Sequence, residues 1–325
     1  MKQIEIKHNQ HYVWQKYLRA WGDSKGLVHY SRNHKDPSVA NAKNLMVERH
    51  FYKLQQLSSS DIEYIMYYIQ RTEYPPLKSH HQELLESFVS IVNFYDAIKN
   101  EDTVPYNAKE KTRKMLIEFE ENFHSSIESD AAPILDQLRQ KQRSFIDSSE
   151  TSASFLHYLS QQYCRTKNFR ESIGKELSRP SHLFASANAT NFLSYILACN
   201  LGLSFAAERE LLEIVFLETN TPRFVTGDQP VINLLANRFG GDTSDIIFYY
   251  PLSPYLACLL THKSRNLTSK PIPEKIVNKL NGLISWHSHH FIVGDSDDAI
   301  RAAIKNQPTK NQTVMDVLES LSANP

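Results

Sequence analysis

The sequence predicts an α+β protein, predominantly helical, with a small mixed or antiparallel sheet. Three observations carry this. Apolar residues recur at helical spacing through most of a middle stretch, roughly 59–218, and short β-branched or aromatic runs separated by turn residues follow Arg223. Glycine is scarce, 9 in 325 residues, against an average share of about 7%. No two glycines form a GxG arrangement, which removes the dinucleotide fingerprint, and no GxxxxGK[ST] Walker loop occurs. One α+β domain over 1–325 is expected, its sheet built from N-terminal and 223–295 segments.

In chain order, 11–21 (HYVWQKYLRAW) places Val13, Tyr17, Leu18 and Trp21 on one face of a short helix. Residues 27–31 read as a strand and 33–44 as a loop. Ser60 and Glu63 match a capping box opening a helix striped by Ile62, Ile65, Met66 and Ile69, with Pro75-Pro76 as its stop. Ser79 to Gln82 repeats the device before a helix carrying Leu84, Leu85, Phe88, Ile91, Val92, Tyr95 and Ile98. Further helices are expected over 107–128, 133–146, 152–164, 190–200 and 205–218. Strands are expected near 223–227, 245–250, 256–261 and 289–293. A helix begins at Pro273, and helices over 297–305 and 312–321 close the chain.

Formal charge sums to zero but is locally uneven. Residues 1–53 carry ten Lys or Arg against four Asp or Glu, with five histidines, whereas 101–136 carry four against nine. These are two solvated faces, or one region docks on the other, or the basic segment is a surface for phosphates. Cys164, Cys199 and Cys258 lie far apart with no CxxC, so neither a disulfide framework nor a zinc-thiolate site is expected. The opening residues lack a signal peptide's apolar core, and the greasiest window, 192–207, falls short of the ~20 residues that span a bilayer. It reads as a buried helix with a turn at Gly202. The expected setting is the cytoplasm, away from membranes.

Several motifs match a known pattern. His11-Tyr12-Val13 leads into Tyr17-Leu18 and Trp21, followed by Phe51-Tyr52. Late in the chain come Phe224-Val225-Thr226-Gly227-Asp228-Gln229-Pro230-Val231 and Pro251-Leu252-Ser253-Pro254. In these the chain resembles a bacterial family of proteins of unknown function, domain-of-unknown-function family 4238. It departs from that family's pattern at Trp14, where proline is usual, and at Gly227, where serine is usual. The resemblance implies a bacterial or phage protein of mixed α/β fold and an association with defence against phage. It brings no established reaction.

Asp228 follows the predicted strand RFVT, and Pro230 keeps Gln229 out of helical geometry, so the chain turns sharply there. A carboxylate fixed at a strand end can hold a metal or a substrate hydroxyl; alternatively it caps its own turn. His11, in the basic segment, can serve as ligand, acid or phosphate donor, or simply pack or cap at the N-terminus. In an extended segment His287 and His289 share a face, suiting a divalent metal with Asp228 or Asp295 as third ligand. Trp14, Tyr17, Trp21 and Tyr30 read either as core or as stacking platforms for single-stranded nucleic acid. HExxH is absent, which removes that class of zinc peptidase.

These residues favour an effector acting on nucleic acid or a nucleotide by metal-assisted hydrolysis, a nuclease or phosphodiesterase. Asp228 and His11 would be catalytic, Lys16, Arg19, Tyr12 and Gln229 would contact substrate, and Asp228, His287 and His289 would hold the divalent cation. The alternative is a non-catalytic adaptor that binds a protein partner through its helical middle.

Overall fold

The computed structural model describes residues 6–177, 186–221, 223–235, 246–308 and 312–322. Of these, 57% are helical and 17% strand, so helix dominates as expected.

The largest sheet has the order β10 (Lys270–Pro271), β5 (Leu212–Glu218), β9 (Leu256–His262), β8 (Phe248–Ser253) and β7 (Ile232–Asn233). All its pairings are antiparallel except β10 with β5. Side chains alternate between two cores. Ile214, Phe216, Cys258, Leu260, Phe248 and Tyr250 join one, and Val215, Leu217, Ala257, Leu259 and Tyr249 the other. The sheet is therefore covered on both faces. That explains why 205–218, expected as a helix, is a strand over its second half. A strand buried on both faces is a continuous apolar run without polar alternation, and IVFL at 214–217 has that form, between the half-buried Glu213 and Glu218.

One core joins that sheet to the N-terminal segment, the end of α4 (Tyr106–Arg139) and α5 (Ser149–Cys164). The opposite core is closed by α8 (Glu274–His287), α9 (Asp297–Lys305) and α10 (Gln312–Leu321). The last two match the expected closing helices. A third core binds α2 (Ser59–Gln70), α3 (Pro75–Ile98) and α7 (Ala187–Ala207). A second sheet, ordered β3 (Ser38–Asn41), β2 (Leu27–Arg32), β11 (Phe291–Gly294) and β6 (Thr226–Gly227), joins the chain's two ends. A small ladder pairs β1 (Asn9–His11) with β4 (Val47–Arg49).

Several local signals are shifted rather than absent. The capping box is Ser58 with Asp61, two residues before the expected position. Pro75-Pro76 opens α3 instead of ending α2, since proline suits a helix start, where an amide has no partner in any case. The helix α4 continues through Pro133, because Ile134, Leu135 and Leu138 bury in the main core on its far side. Residue 11 ends a strand, and the helix α1 (Gln15–Leu18) runs on as a short 3-10 turn, Arg19–Trp21. Part of the expected strand near 245–250 lies outside the described residues; β8 starts at Phe248.

The helix α7 passes straight through Gly202, whose missing side chain lets His157 approach; a Cβ there would lie 3.0 Å from the His157 Cα. At 21 residues it is long and apolar enough to cross a membrane by length and composition, and 56% of that window is buried inside the protein.

Candidate functional site: the N-terminal cleft

Gln10, the middle residue of β1, is wholly buried, and its amide ties three elements together. Its Nε2 donates to the Ile117 carbonyl at 2.6 Å, and its Oε1 accepts from the Tyr52 amide at 2.8 Å. The alternation of the strand then turns His11 outward, while Tyr12 is buried against Phe51 with ring centroids 5.0 Å apart. One turn of α1 further on come Lys16 and Arg19. Tyr17 and Trp21, on the other side of that turn, are core: the Tyr17 hydroxyl bonds Thr226 at 2.7 Å, and the Trp21 indole donates to the Phe224 carbonyl at 2.8 Å. The expected choice between stacking platform and core thus falls to core for both.

His11, Trp14, Lys16 and Arg19 face α4 across a cleft of about 330 Å3. The opposite wall is Glu121, His124 and Glu128, which at i, i+3 and i+7 lie on one face of α4. The basic N-terminal segment does dock on the acidic stretch, through Lys16 to Asp136 at 3.1 Å and the Lys7 amide to Glu118 at 2.6 Å. Between the two walls the cleft is left open.

Charged groups are buried beneath the α4 wall of the cleft. Arg165 is buried and bonds Glu128 at 2.5 Å, with its Nε left without an acceptor. His124 is 5% exposed, packs its ring 4.8 Å from that of Tyr52, and has an unpartnered Nδ1. Burial, with Arg165 and Arg170 nearby, holds its pKa well below the usual histidine value. Burial also lowers His11, against a 3.1 Å contact with the Lys43 carbonyl and with a further push from Arg165. Glu121 is shifted the other way. Its pKa is raised by burial and by Glu128 and Glu118, with Lys7 and Arg165 opposing. Histidines shifted down and a carboxyl shifted up, facing one cleft, are the pairing that lets one side chain serve as base and another as acid.

Asp228 sits elsewhere and does something else. It is 3% exposed and does not line this cleft. Its Oδ1 accepts from the His289 amide at 2.7 Å; its Oδ2 accepts from the His290 amide at 2.7 Å and the Phe291 amide at 3.1 Å. Burial raises its pKa while those three amides pull it back. Both oxygens are spent on holding the end of α8 to the start of β11, so Asp228 caps a neighbouring segment rather than its own turn. Gln229 is also buried scaffold: it accepts from the Thr166 hydroxyl and donates to the carbonyls of Tyr163 at 3.2 Å and Val231 at 2.7 Å.

The expected metal set does not assemble. His287 ends α8 in helical geometry, so it and His289 do not alternate along one strand. His289 Nε2 is 3.0 Å from Glu171. Among the described residues no three His, Cys, Asp or Glu side chains are grouped to hold a metal ion. Of the expected site residues, the fold brings His11, Lys16 and Arg19 together, buries Tyr12 behind them, and separates Asp228, Gln229, His287 and His289 from their cleft. Glu121, His124 and Glu128 were not among the expected site residues, although their helical spacing in an acidic stretch is a usable signal.

Comparison with known proteins decides the family. A family model, described as a protein of unknown function (DUF4238), matches residues 9–298. The chain belongs to the DUF4238 family. The matched region contains both the cleft and the Asp228 turn. No curated protein and no solved structure matches this DUF4238 chain.

Proposed function

We propose that this DUF4238 protein acts on a nucleotide or nucleic acid at the N-terminal cleft, hydrolysing a phosphoester by general acid–base chemistry. The observation that carries this is the convergence of Lys16, Arg19 and His11 with Glu121 and His124 on one cleft. Arg19 has no ion pair among the described residues, and Lys16 has only an exposed one, which is cheaply exchanged for phosphate. His11, whose pKa burial lowers, takes a proton from the attacking water. As water bonds to phosphorus and the leaving oxygen departs, Glu121 supplies that oxygen's proton. A bacterial setting and a role in defence against phage rest on the family likeness alone, and a cytoplasmic one on the cysteine usage and the absence of a signal peptide's apolar core.

The test uses fluorescein-labelled single-stranded RNA and DNA, with binding followed by anisotropy and cleavage by gel. Lys16→Ala and Arg19→Ala should each weaken binding and lower the salt slope by about one. His11→Ala should lower cleavage by about 100-fold with binding retained. Binding by a Lys16→Ala/Arg19→Ala chain equal to the parent's would overturn the proposal.

A second reading is favoured by one observation: Tyr74, Phe94, Tyr106 and Met115 are large apolar side chains exposed on the helical region. As an adaptor, the protein would lose its cellular activity on Phe94→Ser with Tyr106→Ser and keep it on His11→Ala.

A further inference from the structure

A second and larger cleft, of about 720 Å3, lies between β4, α6 (Lys167–Leu177) and the start of α7. It shares no lining residue with the N-terminal cleft. Phe51 supplies an apolar wall, Lys167, Arg170 and Lys175 supply cations, and Thr190 and Asn191 supply polar side chains from α7.

Arg170 is the informative residue. It is 8% exposed, its guanidinium carbon lies 5.3 Å from the Phe51 ring centroid, and its Nε is buried without an acceptor. Its one acid, Glu120, stands 3.9 Å away, too far for a hydrogen bond. A nearly buried guanidinium with spare donors is costly unless an anion completes it. Of the other charges, Lys167 is paired with Glu48, and Glu171 lies 3.0 Å from His289. Lys175 is exposed and has no ion pair among the described residues. The lining therefore carries three cations, Lys167, Arg170 and Lys175, against the two carboxylates of Glu48 and Glu171, and Lys167 is the one paired with Glu48.

We propose that this cleft binds a phosphate-bearing small molecule of mononucleotide size, with Arg170 and Lys175 on the phosphate and the ring beside Phe51. The volume lies within the ~300–1,000 Å3 typical of small-molecule sites. The planar fork of an arginine matches phosphate oxygens two at a time, and a lysine adds a point charge. The Asn191 amide offers both a donor and an acceptor to a base edge.

The probe is AMP, measured by calorimetry in a Lys16→Ala/Arg19→Ala background. That background disables the N-terminal cleft, so failure of the function proposed for it has no bearing on the result. One saturable site is expected, with adenosine binding at least about tenfold more weakly. Lys175→Ala, an exposed change, should weaken AMP about tenfold, and Arg170→Lys should do so by losing the fork. Circular dichroism and thermal unfolding establish that each variant is folded. No AMP binding at millimolar concentration, equal affinity for AMP and adenosine, or unchanged affinity in a folded Lys175→Ala chain would each overturn the proposal.

Discussion

The Asp228 turn and the charged face of α4 both take carboxylates out of water, and they treat them in opposite ways. At the turn, three successive backbone amides point at one buried carboxylate and take up most of its acceptor capacity. On α4, Glu121 has no hydrogen bond or ion pair to another described side chain, Glu120 has only a distant guanidinium, and His124 keeps a bare ring nitrogen. Burial alone therefore does not mark a site. Satisfied burial builds architecture, and unsatisfied burial leaves chemistry available.

The sharpest way to break this contrast is Asp228→Asn. Asparagine has a single acceptor oxygen and turns an N–H toward amides that are themselves donors. At least one buried amide loses its partner, at about 1–3 kcal/mol for each such group. The variant should be destabilised by about 3 kcal/mol in urea unfolding, with any loss of activity following the loss of fold. If it is as stable as the parent, the carboxylate is not holding the turn and a chemical role for Asp228 returns.

The two regions also differ in how far their amino-acid sequence discloses them. The turn itself is legible, because strand, acid and proline stand in order in RFVTGDQP. Its partner is not, since residues 289–291 are some sixty positions away and contribute backbone, which no side-chain pattern reports. The N-terminal cleft is half legible. Lys16 and Arg19 stand out as cations one helical step apart, and the opposing charge of 101–136 suggests docking. Which acids of α4 face them depends on the phase of a 34-residue helix, and the break expected before Pro133 hides its length. The strand β5 escapes for the separate reason that both its faces are buried, which leaves its sequence without the alternation that marks a strand.

A smaller effect is expected beside Asp228. A Cβ at Gly227 would lie 2.0 Å from the Ser288 Oγ, 3.2 Å from its Cβ and 2.7 Å from the Phe291 carbonyl oxygen. The space a side chain at position 227 would need is filled by Ser288, whose hydroxyl donates to the Ile284 carbonyl at 2.8 Å. Gly227→Ser should cost about 2 kcal/mol by overpacking. Adding Ser288→Gly removes two of the three close contacts, and the double variant should be more stable than the sum of the single changes predicts. Strict additivity in a double-mutant cycle would show that the two positions do not compete for one space.

The last and smallest effect belongs to the α4 side of the comparison and is read through pH. Burial pushes the Glu120 carboxyl up to about 7 from an ordinary 4.5, and Arg170 offsets only part of this. The folded chain therefore holds this proton more tightly than the unfolded chain does. Stability from this group is present below pH 4.5 and is lost as pH rises through 7. Glutamine has nearly the same shape and cannot ionise. Near pH 4 the Glu120→Gln variant and the parent should differ only by packing and hydrogen bonding. At pH 8 their difference should have moved toward the variant by about 1–2 kcal/mol, taking each pKa unit as about 1.4 kcal/mol and discounting for partial exposure. Urea unfolding of both chains at the two pH values gives that difference, and the other titrating groups cancel because they are common to both. The opposite movement, toward the parent, would mean that Arg170 holds Glu120 ionised as a well-made pair. α4 would then be as fully satisfied as the Asp228 turn, and the physical distinction between the two regions would be gone.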